Sequence, residues 1–173
     1  FLGLRTLTVL KDAVKNIKHS KGIEIDIDHI DFNDKKMLDF IGSGKTEGVV
    51  QLESAGMQSF MKELKPQNFE DIVAGISLYR PGPMDFIPSY IKGKNNPEEI
   101  VYLTPELIPI LEPTYGCIVY QEQVMQVFRA LAGYSLGRAD IVRRAMAKKK
   151  HEVMRREREF FIFGEKDENG NVI

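Results

Sequence analysis

The sequence predicts a mainly helical fold with a few short strands. Apolar residues recur at helical spacing early in the chain, as at Leu7 and Leu10. Seven prolines from position 81 onward limit the middle of the chain to short elements joined by rigid turns. Two short runs, 49–52 and the apolar 117–119, contain the β-branched residues that strands favour.

The composition restricts the class of protein. A chain of 173 residues suffices for one or two compact units, and its 43% hydrophobic and 28% charged residues are near globular averages. No window approaches about twenty uninterrupted apolar residues, and the start lacks the basic region of a signal peptide. We therefore expect a cytoplasmic protein. The single cysteine, Cys117, has apolar neighbours and is predicted to be a buried rather than a reactive thiol.

The first half of the chain is predicted to contain short helices and connectors. An amphipathic helix carries Leu7, Leu10, Val14 and Ile17, and the alternating residues 23–30 are interpreted as a connector rather than a strand. The following elements are a helix at 34–40, a glycine-rich loop at 41–48, the strand at 49–52, a helix from its Ser54 cap to Leu64, and a helix at 69–78 capped by Asn68.

The last third has the simplest pattern. Helices are predicted near 121–131, 136–147 and 150–163, separated by Gly133 and by a lysine run. A polar turn follows at 167–170. Tyr120, Gln121, Gln123 and Met125 lie where the apolar run meets the first of these helices, so capping and core roles are both open for them.

Two patterns suggest phosphate or metal chemistry only weakly. The run 42–46 ends in Gly-Lys-Thr like a phosphate-binding P-loop, but Asp39 stands where the first glycine belongs, so a flexible surface loop is favoured. Asp26 and Asp28 would share one side of a strand, as in two-metal sites, although a solvated face is favoured. The three histidines are scattered without ligand spacing, which argues against zinc.

The segment 138–158 is strongly basic, with nine Lys or Arg against three Asp or Glu. Arg144 and Lys148 share one helix face, and arginine binds phosphate oxygens bidentately. The cluster suits a triphosphate or a nucleic-acid backbone, and a charged solvated helix is the alternative. The later arginines alternate with glutamates and are interpreted as a salt-bridged face: Arg155, Arg156 and Arg158 with Glu152, Glu157 and Glu159.

Several long motifs occur in one order along almost the whole chain. They are FLGLRTL at 1–7, QLES at 51–54, FEDIVA at 69–74, YRPGPM at 79–84, EPTYG at 112–116, YQEQVM at 120–125, AGYSLGRAD at 132–140, and RRAM with KKK at 143–150. In these motifs the chain resembles the bacterial DNA polymerase III alpha subunits, the C-family replicases. Ala147, where that family usually has glycine, and a short loop at 100–113 are modest departures.

The resemblance implies a fingers-domain fragment, with residues 1–8 ending the palm domain and 9–173 forming the N-terminal part of the fingers. It implies that Arg143 and Arg144 bind the incoming deoxynucleoside triphosphate. Beside them, Lys148 to Lys150 are predicted to assist at the triphosphate or on template phosphates, with Lys148 assigned to the nucleotide and Lys149 and Lys150 to DNA. Arg80 is predicted as a further nucleotide contact from its place in the chain. Arg80 precedes Pro81, which makes its turn rigid.

The resemblance also implies Mg²⁺ in the full-length enzyme. Its aspartate ligands would precede the FLGLR run, so we expect the fragment to hold no metal and to lack polymerase activity alone. The implied partners are template-primer DNA and deoxynucleoside triphosphates, with sliding clamp and exonuclease subunit binding elsewhere. The alternative is a non-catalytic helical module that binds nucleic acid or protein.

Overall fold

The computed structural model describes residues 3–165, 168 and 170, and within them the fold is helical without a strand. The described residues form nine α-helices: α1 Arg5–Lys21, α2 Lys35–Gly42, α3 Ala55–Leu64, α4 Phe69–Leu78, α5 Ile87–Asn95, α6 Ile108–Leu111, α7 Gln121–Ala132, α8 Leu136–Ala147 and α9 His151–Phe163. Short 3₁₀ turns occupy Ile27–His29, Pro83–Phe86, Pro97–Glu99, Pro105–Leu107 and Glu112–Thr114. Of the polar turn predicted at 167–170, positions 167 and 169 lie outside the described residues. None of the described helices is long and apolar enough to cross a membrane.

The chain divides into two compact units, Phe1–Asp34 and Lys35–Ile173. In the first unit, α1 is the predicted helix, and it ends where Gly22 adopts a left-handed φ of 66°. The apolar side chains of α1 are exposed, as at Leu7 and Leu10, or half-buried, as at Val14 and Ile17, and none of the helix residues is buried. The predicted connector is also confirmed. Asp26 accepts a hydrogen bond from the backbone N–H of Asp28 in a 3₁₀ turn, so the strand that would align these carboxylates for metal does not form.

The predicted strand at 49–52 is wrong. Gly48 and Gln51 have φ values of 77° and 67°, which a strand does not contain. The backbone instead forms successive turns, and the buried hydroxyl of Thr46 donates to the Leu52 carbonyl at 2.6 Å. These bonds satisfy the local backbone, so no neighbouring strand is required.

The P-loop alternative is excluded, as the sequence favoured, because the run 42–46 ends a helix and opens none. Gly44 donates its backbone N–H to the Ile41 carbonyl, which makes that N–H part of a turn rather than a phosphate cradle. The favoured surface loop is correct for the exposed Lys45, but Thr46 is fully buried. The loop is therefore tied to the core at its end.

The main core of the second unit lies among α2 to α5. The predicted caps are present, since Ser54 accepts from Met57 and Asn68 accepts from Asp71. Helices α3 and α4 bury a cluster against α5: Met57, Phe60, Met61, Leu64, Ala74, Leu78 and Tyr90. Cys117 joins this cluster as the predicted buried thiol, and burial raises its pKa.

A buried ion pair crosses this core. The Lys94 ammonium lies 2.8 Å from Asp71 and also donates to the carbonyls of Leu64 and Lys65, at 2.9 and 2.8 Å. All three ammonium protons therefore have acceptors, which is the condition under which a buried charge is tolerated. Burial and the Asp71 carboxylate raise the pKa of Tyr115. The pair joins α4 and α5 to the end of α3.

The predicted strand at 117–119 is likewise absent. Gln123, buried in the first turn of α7, accepts from the backbone N–H groups of Val119 and Tyr120 at 2.8 and 2.9 Å. Its amide nitrogen donates to the Ile110 carbonyl and to the Thr114 hydroxyl. One side chain thus supplies the hydrogen bonds that a second strand would have made. Both roles that were open for this residue, capping and core, are filled.

Helices α7, α8 and α9 form a second cluster. Tyr134, Ala139 and Val142 pack with Phe128 and Phe160. Arg138 is part of this packing, because its guanidinium lies 4.3 Å from the Tyr134 ring centroid and bonds the buried Glu157 at 3.0 Å. Arg138 and Glu157 therefore stabilise the pairing of α8 with α9.

Candidate functional site

The basic cluster begins on α8, whose position is set at its N-terminus. Gly133 ends α7 in a left-handed conformation, and Ser135 caps α8 by accepting from the Arg138 N–H at 3.2 Å. Helix α8 packs against both α7 and α9. Its polar side carries Asp140, Arg143 and Arg144, which follow one another at helical spacing.

The two arginines share one carboxylate. Asp140 Oδ1 accepts from Arg143 Nε and Nη2 at 2.9 and 2.7 Å. Its Oδ2 accepts from Arg144 Nε at 2.7 Å and from Arg144 Nη2. Hydrogen bonds from Arg144 and then Arg143 lower the pKa of Asp140, so its carboxylate stays charged at neutral pH. The trio keeps a net positive charge.

Arg143 is fixed from a second side. Its Nη1 donates to Gln121 Oε1 at 2.6 Å, which joins α8 to the first turn of α7. That turn is itself held by the buried Gln123. The residue pattern drew attention to Gln121 at a structural junction but gave no sign of its partner. Asp140 was missed as well, although its spacing of three and four residues from the arginines is a detectable signal.

The two arginines differ in access to solvent. The Arg143 side chain is 23% exposed, whereas that of Arg144 is 63% exposed. Arg144 also lines a cleft of about 300 Å³ between α8 and α9. The cleft residues are Ile141, Arg144, Ala145, Lys148, Lys150 and Val153. The predicted common face of Arg144 and Lys148 is thus confirmed, and Lys150 joins it, so three cations line a space that could accept phosphate.

The lysine run forms the turn between α8 and α9. Lys149 donates its backbone N–H to the Met146 carbonyl, and Lys150 donates to that of Ala145, in the pattern of a Schellman motif. Lys149 takes the left-handed position, with φ of 50°, where glycine is usual. Lys149 therefore occupies a backbone conformation that favours glycine over residues with a side chain.

We expect Lys149→Gly to raise the free energy of unfolding above that of Lys149→Ala by about 0.5–1 kcal/mol. The two variants lose the same charge, but only glycine relieves the left-handed backbone. Urea denaturation of both variants measures the difference. An alanine variant as stable as the glycine variant would contradict the strain.

The other predicted site residue, Arg80, lies in the turn after α4 and is exposed. Within the described part of the chain, no hydrogen bond or ion pair joins it to the arginines of α8. The predicted salt-bridged face on α9 is present only weakly, because Arg156 and Arg158 contact adjacent glutamates at 3.4 and 3.5 Å. Among the described residues, no group of three or more His, Cys, Asp or Glu is placed to hold a metal.

Residues 6–169 match the family model described as the bacterial DNA polymerase III alpha subunit finger domain. The chain belongs to this family. The finger-domain match includes the whole basic cluster, from Arg138 to Lys150. The resemblance that the motifs indicated is therefore confirmed, and so is a fingers-domain fold, with the correction that the described residues contain no strand.

Individual relatives of this finger domain are similar over nearly its whole length. It is 52% identical over 164 residues to the DNA polymerase III subunit alpha of Halalkalibacterium halodurans, covering 95% of this chain and 15% of that protein. The corresponding subunit of Staphylococcus epidermidis is 50% identical over 167 residues, covering 96% and 16%. That of Staphylococcus aureus is 51% identical over 170 residues, covering 98% and 16%. The chain thus spans 15% to 16% of the length of these relatives.

Proposed function

We propose that this finger domain serves a bacterial replicative DNA-directed DNA polymerase, where it binds the triphosphate of the incoming nucleotide and the template-primer. The observation that carries the proposal is the arginine pair on α8. Arg143 and Arg144 are held side by side by Asp140, and Arg144 faces a cleft with Lys148 and Lys150. Guanidinium and ammonium groups at this density match the charge of a triphosphate.

The proposal divides the predicted residues by their position. Arg143, Arg144 and Lys148 would bind the triphosphate, and Lys149 with Lys150 would contact the DNA backbone. Arg80 is proposed as a further nucleotide contact, supported by its exposed position beside Pro81. Because Lys150 lines the same cleft as Arg144, it is placed equally well for the nucleotide. We propose that residues 1–8 end the palm and that 9–173 belong to the fingers.

The proposed reaction requires groups from the rest of such a polymerase. Two Mg²⁺ ions held by palm carboxylates would activate the primer hydroxyl and stabilise the leaving pyrophosphate. We propose the bacterial cytoplasm as the location, with sliding clamp and exonuclease subunit bound through other regions. The 173-residue chain alone is expected to bind phosphate without extending a primer.

Salt dependence tests the DNA contact. If Lys149 and Lys150 each neutralise a DNA phosphate, these two contacts should contribute about −2 to the slope of log K against log salt for duplex DNA. The double variant Lys149→Ala/Lys150→Ala should flatten the slope by about 2, because each lost phosphate contact releases one counterion fewer. Fluorescence anisotropy at several salt concentrations measures both slopes.

Lys45→Ala is the matched control, since it removes an exposed lysine outside the cluster. It should leave the slope within about 0.5 of that of the unaltered chain. Equal slopes for the unaltered chain and the double variant would show that Lys149 and Lys150 do not contact DNA phosphates. The outcome would then favour a helical module that binds protein.

A further inference from the structure

Asp140 has a place in the cluster that its charge does not explain. A carboxylate among cations reduces the attraction for phosphate, because it is a like charge close to the ligand. Its geometry has the opposite effect. Each oxygen binds one guanidinium through two N–H groups, so Arg143 and Arg144 are ordered side by side before any ligand arrives.

The arrangement leaves the outer edge of Arg144 available. Asp140 occupies its Nε–H and one Nη2 proton. Among the described residues, its Nη1 group and remaining Nη2 proton make no hydrogen bond, and these form the pair that binds a phosphate bidentately. Arg143 is more restrained, because Gln121 Oε1 also accepts a hydrogen bond from its Nη1.

We propose that Asp140 is a positioning residue for triphosphate binding, which orders Arg143 and Arg144 so that the unused edge of Arg144 faces the incoming phosphate. The inference rests on the proposed function of the cluster and adds a residue that does not itself touch the nucleotide. Arginine has a flexible side chain, and ordering it before binding removes an entropic cost that the ligand would otherwise bear. Gln121 supports the same arrangement from α7.

Charge and order predict opposite results for Asp140→Ala in a full-length alpha subunit that carries this sequence. If the carboxylate mainly repels phosphate, its removal lowers the KM for deoxynucleoside triphosphate. If it orders the arginines, KM rises by about fivefold to tenfold, while the Kd for primer-template changes less than twofold. Single-nucleotide incorporation and DNA anisotropy measure these two constants.

Two further substitutions separate positioning from a general structural role. Asp140→Glu keeps two carboxylate oxygens and should recover at least half of the lost KM effect. Asp140→Asn keeps one acceptor oxygen and sets an amide N–H group against the second arginine, so it should resemble alanine. Asp39→Ala is the matched control, since Asp39 pairs with Lys35 on the surface of α2, and it should leave KM unchanged.

A double-mutant cycle decides whether Asp140 acts through the arginines. In a protein lacking both, Arg143→Ala/Arg144→Ala, the further change Asp140→Ala should no longer raise KM. A lower or unchanged KM for Asp140→Ala alone, or an equal loss without the arginines, would overturn the positioning role. If removing both arginines left KM unchanged, the proposed function itself would fail instead.

Discussion

Asp71→Ala should lower the free energy of unfolding by about 3–5 kcal/mol, because it leaves the Lys94 ammonium buried without its counter-charge. The two side chains are only 1% and 5% exposed, so water cannot replace the lost partner. Lys94→Ala should cost a similar amount, since the carbonyls of Leu64 and Lys65 lose their donor along with Asp71. Chemical denaturation of each variant gives the values.

The combination Asp71→Leu/Lys94→Met tests the cause of the loss. Replacing both charges by apolar groups removes the unpaired charge and should recover at least half of the stability. Asp39→Ala breaks an exposed pair with Lys35 and should change stability by less than about 0.5 kcal/mol. If Asp71→Ala cost no more than this control, the pair would contribute nothing beyond an ordinary surface contact.

Arg144→Ala in the full-length alpha subunit should lower kcat/KM for nucleotide incorporation by at least about tenfold. Charge on the triphosphate is redistributed in the transition state, so an ordered guanidinium contributes to rate as well as to binding. Arg143→Ala should also lower kcat/KM by at least about tenfold, because a direct contact is lost and because Arg144 loses an ordered neighbour. The effects should not add, because both arginines share Asp140.

Lysine at either position should restore only part of the loss, because an ammonium keeps the charge but cannot form the bidentate fork. The Kd for primer-template should change much less than kcat/KM. Single-turnover incorporation and DNA anisotropy measure the two effects. Near-normal incorporation by the double alanine variant, together with weakened DNA binding, would instead make the arginine pair a contact for the DNA backbone.

Local signals in the sequence predicted most of the helices. The Ser54 and Asn68 caps act over three residues, and Gly133 ends a helix through its own backbone, so neighbouring residues suffice to reveal them. The strands at 49–52 and 117–119 were wrongly predicted because a strand depends on more than neighbouring residues. A strand needs a partner, and β-propensity cannot show that Thr46 and Gln123 satisfy the backbone instead.

In the candidate site, too, local features were predicted and contacts between helices were not. The common face of Arg144 and Lys148 depends on one turn of helix and was predicted correctly. The bond from Arg143 to Gln121 spans 22 residues and depends on how α7 packs against α8, which spacing along the chain does not encode. The buried pair of Asp71 and Lys94 was missed for the same reason, since it joins two different helices.

Among the described residues, the side-chain hydrogen bonds of Gln123 reach back along the chain as far as the Ile110 carbonyl and do not include the segment before it. In that segment Val101 and Leu103 are 88% and 89% exposed. An insertion between them would lengthen a surface loop at an entropic cost that grows only slowly with length. Such an insertion should leave the turn that precedes Gln121 unchanged. Length variation here should be neutral for the arginine pair, whereas a single residue inserted between Thr114 and Tyr120 would separate Gln123 from its partners.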